Sequence, residues 1–142
     1  MYEIQDREDL HRLAIFILAH TMIDSLLTGA VIGRELSAAS REDLHKRLMQ
    51  TFVDQIQNRT FANRLDHAKR NRTMSSTSFH IAKALNTTRN NFIHRQQMPP
   101  VYKGKKITSD DGLYEYLNDA VSIIKDLVVD AKKLQVASRS SE

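Results

Sequence analysis

Cysteine and tryptophan are absent from this chain, and it holds only two prolines and four glycines. Without cysteine there is no disulfide, no thiolate metal site and no cysteine nucleophile. So few glycines and prolines leave little material for the many tight turns of a β-sandwich. Also missing are a glycine-rich phosphate loop, a Ser/His/Asp order and a His-x-x-x-His pair, so neither a metal nor a cofactor is expected. The first residues include Glu3, Asp6, Glu8 and Asp9. A secretory signal would be basic there, so none is expected. One apolar run, Leu13–Ile32, approaches membrane-spanning length, but His20, Asp24 and Ser25 interrupt its centre. An aspartate at a bilayer centre costs roughly 2.5–3.5 kcal/mol on insertion. Burial between helices explains the run better, and the expectation is a cytoplasmic protein with no membrane partner.

What is present fits one all-α domain. A chain of 142 residues supports one real core and not two. The sequence predicts a four- to five-helix antiparallel bundle over residues 1–136, with 137–142 as a disordered tail. Helix one is expected from about Asp6 or Asp9 to Gly33, the glycine acting as its stop. Ile15, Phe16, Ala19, Met22, Ile23, Leu26, Leu27 and Ala30 make one wide apolar face at spacings of three and four. The other side carries Leu10, Ala14, Ile17, Leu18, Thr21, Ser25 and Thr28, which suits a helix serving a core and an interface together. An oligomer is therefore expected.

Ser40 and Asp43 read as the cap of a second helix, with Glu42 and Asp43 in its first turn and Leu44, Leu48, Phe52 and Ile56 on one face. Its pattern weakens at Gln57–Thr60 and resumes with Phe61, Leu65 and Ala68, which predicts a kink or break. Asn71–Ser78 reads as a polar linker. The next helix starts among Ser75–Ser78 and ends before Pro99–Pro100, because a residue preceding proline is pushed out of the α region. Val101–Ser109 reads as an exposed loop with two short extended arms around Gly104. Asp110 or Asp111 then opens a final helix with a stripe of Leu113, Leu117, Val121, Ile124, Leu127 and Val128.

Charge is unevenly spread. Residues 59–95 carry Arg59, Arg64, Lys69, Arg70, Arg72, Lys83, Arg89 and Arg95 against Asp66 alone, whereas the whole chain is only +4. Such a segment is the footprint of a polyanion partner, RNA or a nucleotide, and equally of a solvated basic helix surface. Arg59, Arg64, Lys69, Arg70, Arg72 and Arg95 are the candidate phosphate contacts.

The chemistry-bearing stretch is Leu85-Asn-Thr-Thr-Arg89-Asn90-Asn91-Phe92-Ile93-His94, late in a helix. An arginine, a polar neighbour and a histidine after four intervening residues resemble the signature of the HEPN superfamily of small helical-bundle proteins. The segment Thr60-Phe-Ala-Asn-Arg-Leu-Asp-His-Ala68 looks like a block upstream of that motif in its relatives. Asp24, within Met-Ile-Asp-Ser-Leu-Leu, is similar to an acidic residue of their first helix. The resemblance spans roughly residues 10–130 and is sharpest at Arg89–His94.

It implies a helical bundle working as a homodimer, with two motif copies in a cleft between protomers, and metal-independent cleavage of RNA. His94 would move protons, Arg89 would hold the phosphate, and Asn90 would orient the imidazole. Relatives also include non-catalytic regulators and nucleotide binders, so an antitoxin or regulatory protein is a possible partner. Geometry bears on this directly. On a regular helix Arg89 and His94 lie roughly 140° apart, whereas Asn90 and His94 share a face. A second protomer relieves that separation. The plainer alternatives are a histidine favoured by the helix dipole and an arginine in a salt bridge.

Overall fold

A computed structural model describes residues 7–37, 40 and 43–140, the side chains of 136–140 excepted. Five helices and a small hairpin follow one another: α1 (Arg7–Ser37), α2 (Leu44–Asn58), α3 (Phe61–Arg70), α4 (Ser76–His94), β1 (Val101–Tyr102), β2 (Lys105–Lys106) and α5 (Asp110–Ser140). The all-α expectation holds. Asp6 and Glu42 lie outside the described residues.

α1 is the spine, touching every other helix, and α5 is its most extensive neighbour. Arg12 bonds Asp110 at 2.9 Å near the start of both helices, and Arg34 reaches Asp130 farther along both. Those two ties show α1 and α5 running the same way. α4 runs against them, since Phe16 meets Phe92 while His20 meets Asn86. The core between these helices centres on Phe16, Ile23, Leu27, Leu85, Tyr116 and Ile123. Phe16 stands edge-on to Tyr116 at 4.8 Å, and Tyr102 does the same at 5.3 Å. Aromatic pairs prefer this geometry.

Local chemistry explains most boundaries. Thr60 is extended and forms a reciprocal capping box with Asn63, which turns the expected kink into a true break between α2 and α3. Ser75 caps α4 by accepting from Ser78 N–H at 3.1 Å. α4 stops at His94, ahead of the prolines; Gln96 turns to φ 52° and Gln97 N–H closes on Asn91 O at 2.9 Å. The two arms around Gly104 pair as Val101↔Lys106 and Tyr102↔Lys105. Lys103 and Gly104 between them both have positive φ, as a two-residue hairpin turn requires.

Five expectations need correction. α1 passes through Gly33 to Ser37. A Cβ on Gly33 would lie 3.2 Å from the Leu134 side chain, so the glycine serves the close approach of α5 and not a helix stop. Asp43 stands at the N-cap of α2 but makes no side-chain cap bond; Ser40 Oγ instead donates to its carboxylate. On α5 the buried stripe is Leu113, Tyr116, Ala120, Ile123 and Leu127, and Val121 and Val128 are exposed. The helix also continues past Ala137 to Ser140.

The fifth correction matters most for function. The apolar stripe of α2 faces outward: Leu44, Leu48, Phe52 and Ile56 are all exposed, joined by Met49 and Val53, while polar Thr51 and Gln55 are the buried ones. Among the described elements α2 packs along α1, and α3 reaches it only at its end, through Arg64. α1 has a bare stripe as well, through Leu10, Ile15, Leu18 and Met22. It is the one described helix long and apolar enough to cross a membrane, and 33% of its most apolar window is buried inside the bundle.

Candidate functional site

The final turns of α4 project from a buried base. Phe79, Ala82, Leu85 and Asn86 face the core at spacings of three and four. One turn on, Thr88 Oγ1 donates to Val101 O at 3.0 Å and ties the helix to the hairpin. Arg89 is half-buried, and its Nη1 donates to Asn90 Oδ1 at 3.2 Å. The guanidinium lies close enough to His20 and Tyr116 for its charge to act on both. His94, the last residue of the helix, is exposed and has no hydrogen-bond partner among the described residues. The helix brings Arg89, Asn90, His94 and Arg95 to one end, yet Arg89 turns toward α1 and α5 while His94 faces solvent. Asn90 spends its carbonyl oxygen on Arg89 and makes no bond to the imidazole, contrary to expectation.

Behind Arg89 lies a polar cluster that sequence reading missed in part. His20 is packed, as expected, against the Phe61 ring at 4.8 Å, with Nε2 3.2 Å from Asn86 Oδ1. Burial pushes the His20 pKa below the usual imidazole range, which keeps the ring neutral beside a cation. The Tyr116 hydroxyl is buried without a partner, and burial drives its pKa well above the usual phenol range. Arg89 is thus the charged edge of a largely neutral interior. A guanidinium is more weakly hydrated than an ammonium, which suits it to such a half-buried position.

The basic side chains of residues 59–95 divide into three situations. Arg64 is not available to a phosphate: it is buried at 8% exposure, pairs with Asp24 at 2.6 Å, and donates from Nη1 to the carbonyls of Gln55 and Arg59. It caps the end of α2 and carries α3 against α1. Its spacing gave the clue, because Phe61, Arg64, Leu65 and Ala68 form one face of α3 and all four are buried. Arg59 is exposed but paired with Asp54 at 3.1 Å, and Lys69 stands 4.7 Å over the Phe79 ring. Arg70, Arg72 and Arg95 are exposed, Arg72 with φ 54° in the turn after α3.

These cations do not gather round His94. Lys69 and Arg72 share a groove of about 840 Å³ with Arg34 and Lys133, at the far end of α1. Phe92, beside the motif, meets Phe16 near the beginning of α1. At 1.5 Å per residue, Phe16 and Arg34 are about 27 Å apart along the helix. Of the candidate phosphate contacts, Arg95 is the one that follows His94 directly in the chain. Among the described residues no three His, Asp or Glu side chains come close enough to hold a metal ion. No protein-family profile, curated protein or solved structure matches this chain.

Proposed function

We propose that this protein is a HEPN-type endoribonuclease of the cytoplasm, cutting RNA without a metal ion as a homodimer and serving a toxin or defence role. The observation that carries the reading is the end of α4, where Arg89 is braced by Asn90 above a neutral interior and His94 stands free in solvent five residues on. In the proposed reaction His94 of one protomer removes the ribose 2′-hydroxyl proton, and the 2′-oxygen attacks phosphorus. His94 of the partner subunit protonates the leaving 5′-oxygen, leaving a 2′,3′-cyclic phosphate. Histidine suits both transfers near neutral pH. Arg89 binds the phosphate and stabilises the charge that develops on it. Purified protein is expected to shorten single-stranded RNA, and leave DNA intact, in the presence of EDTA. RNA that stays full-length would remove the proposal.

The bare stripes of α1 and α2 support the dimer. Their ten large apolar side chains expose on the order of 900 Å², against the ~800 Å² each partner buries in a standard interface. Leu44 of α2 also lines a groove with Leu26, Gly29 and Leu36 of α1, farther along that helix than its bare stripe. Between Arg12 and Arg34 the single charged residue of α1 is Asp24, already paired with Arg64. A neutral apolar face has no like charges to oppose a copy of itself across a two-fold axis. Phe92 lines the groove along Leu10–Thr21, so the motif end of α4 borders this face.

Light scattering at micromolar concentration is expected to give twice 16.3 kDa. Leu18→Glu combined with Phe52→Glu should weaken the dimer on the order of 100-fold, as loss of central apolar anchors does. A parent protein that scatters as a monomer would show that the face belongs to another partner. The non-catalytic regulator reading would then be favoured.

A further inference from the structure

The cations that lie away from His94 form a groove of their own, between the close of α1, the turn from α3 to α4, and α5. Its volume of about 840 Å³ falls within the range of binding clefts. Arg34, Lys69, Arg72 and Lys133 line it against two carboxylates, Asp126 and Asp130. Both carboxylates are already engaged inside the bundle. Arg34 holds Asp130 and also donates to Thr73 Oγ1 at 2.9 Å, while Ser78 Oγ donates to Asp126.

What remains is positive charge without a counter-charge. Lys69, Arg72 and Lys133 are exposed, and none of them forms an ion pair among the described residues. They come from α3, the turn after it and α5, so the fold and not the period of one helix gathers them. Three uncompensated cations round one concavity repel one another, and an anion relieves them. Ser75 and Ser76 open α4 on the same wall, where the first amides of a helix add partial positive charge. Lys69 also lines the neighbouring cavity with Arg70, so the positive surface runs on beyond the groove. That extent fits a chain of anions better than a single one. Met74, Val129 and Leu134 supply apolar wall, and no aromatic ring lines the groove. Such a lining meets a backbone and does not read bases. No residue of the bare stripes on α1 and α2 lines it, so the proposed dimer leaves it open.

We infer that this groove holds the RNA backbone several nucleotides away from the bond that is cut, so that the protein selects strands long enough to reach both ends of α1. The choice of RNA rests on the RNA-cleaving reading; the unpaired charge of the groove does not. The motif end of α4 lies beside Phe16 and the groove beside Arg34, about 27 Å apart along α1. A stacked strand carries one phosphate every ~3.4 Å, so about eight nucleotides bridge the two. An acidic protein segment would meet the same cations with scattered carboxylates. A nucleic-acid strand presents a charge at every residue, which matches a surface that continues from Arg72 through Lys69 to Arg70.

Arg72→Gly combined with Lys133→Gln tests it in the full chain. Both positions are exposed, and glycine accepts the φ of 54° at Arg72 freely, so the melting temperature should hold. Fluorescence anisotropy with a twenty-nucleotide, fully 2′-O-methylated strand reads binding without cleavage. The double variant should bind it about tenfold more weakly, and the slope of log affinity against log salt should fall by about 1.4, two contacts at ~0.7 each. With cleavable RNA, the variant should raise KM for a twenty-nucleotide strand about tenfold at unchanged kcat. A five-nucleotide strand, too short to join the two ends, should be cut by parent and variant alike. Parent-like binding and KM in the variant, or a parent KM indifferent to strand length, overturns the inference. So does a polyglutamate peptide that binds the parent as tightly as the long strand and loses affinity in the variant, which would assign the groove to an acidic protein. RNA left intact by a protein whose grip on the methylated strand depends on Arg72 and Lys133 would instead overturn the nuclease reading and leave the groove as an RNA site.

Discussion

His94→Ala is expected to slow RNA cleavage on the order of 100-fold or more, the usual contribution of a general acid–base group, with RNA affinity nearly unchanged. The side chain is exposed and unpartnered at the last residue of α4, so its removal leaves no cavity and no orphaned polar atom. Surface changes of that kind usually alter stability by no more than about 0.5 kcal/mol. Arg89→Ala should lose both rate and affinity, because the guanidinium meets the phosphate in the ground state and the transition state alike. Arg89→Lys should recover affinity better than rate, since a lysine supplies the charge without the planar fork. Asn90→Ala should lose less than either, its role being to brace Arg89 through the 3.2 Å bond. Single-turnover cleavage and filter binding on the same preparations separate these effects. A parent-like rate in His94→Ala would make the residue structural and move the assignment to the regulator class.

The residues differ in how plainly their sequence positions announced their roles. Helix existence was legible throughout, because spacings of three and four act locally and Ser75 falls within the start expected for α4. The hairpin arms around Gly104 were legible for the same reason, but the burial of Tyr102 and Ile107 within a stretch read as an exposed loop was not. What escaped was any property that depends on which neighbour covers a face. Periodicity establishes that Leu44, Leu48, Phe52 and Ile56 share a side of α2. It says nothing of whether this chain supplies the cover, and among the described residues none does. Gly33 reads as a stop by residue type, yet its use is set by Leu134, a hundred residues along the chain.

The candidate site divides in the same way. The split of Arg89 from His94 follows from helix geometry alone and could be foreseen. The commitment of Asn90 to Arg89 depends on rotamers and could not. Arg64 was counted by charge when its position carried the better signal: it falls on the buried face between Phe61 and Leu65, and α1 offers Asp24 opposite. Asn86 belongs to the same class, since it continues the buried row of Phe79, Ala82 and Leu85. In both, a polar residue at an apolar register position marks an interior partner before it marks a surface role.

Gly112→Ala is expected to cost about 3 kcal/mol or more in unfolding free energy, beyond ordinary overpacking. Residue preference predicts the opposite sign. Gly112 lies within the first turn of α5, and alanine is favoured over glycine inside a helix by up to about 1 kcal/mol. Space decides against it: a Cβ at this position would stand 2.0 Å from Lys106 O and 2.7 Å from Lys106 C. The carbonyl cannot retreat freely, because it accepts from Ser109 N–H at 3.0 Å and from Ser109 Oγ at 2.6 Å. Relief requires β2 and the start of α5 to separate. That movement would draw Tyr102 and Ile107, both buried, out of the core between α4 and α5. Gly29→Ala provides the control, since nothing lies within 4 Å of a Cβ added there. It should follow helix preference and stabilise α1 by up to about 1 kcal/mol. Urea midpoints of the two variants should therefore move in opposite directions. A Gly112→Ala midpoint at or above that of the parent would mean that β2 does not close on α5 as described.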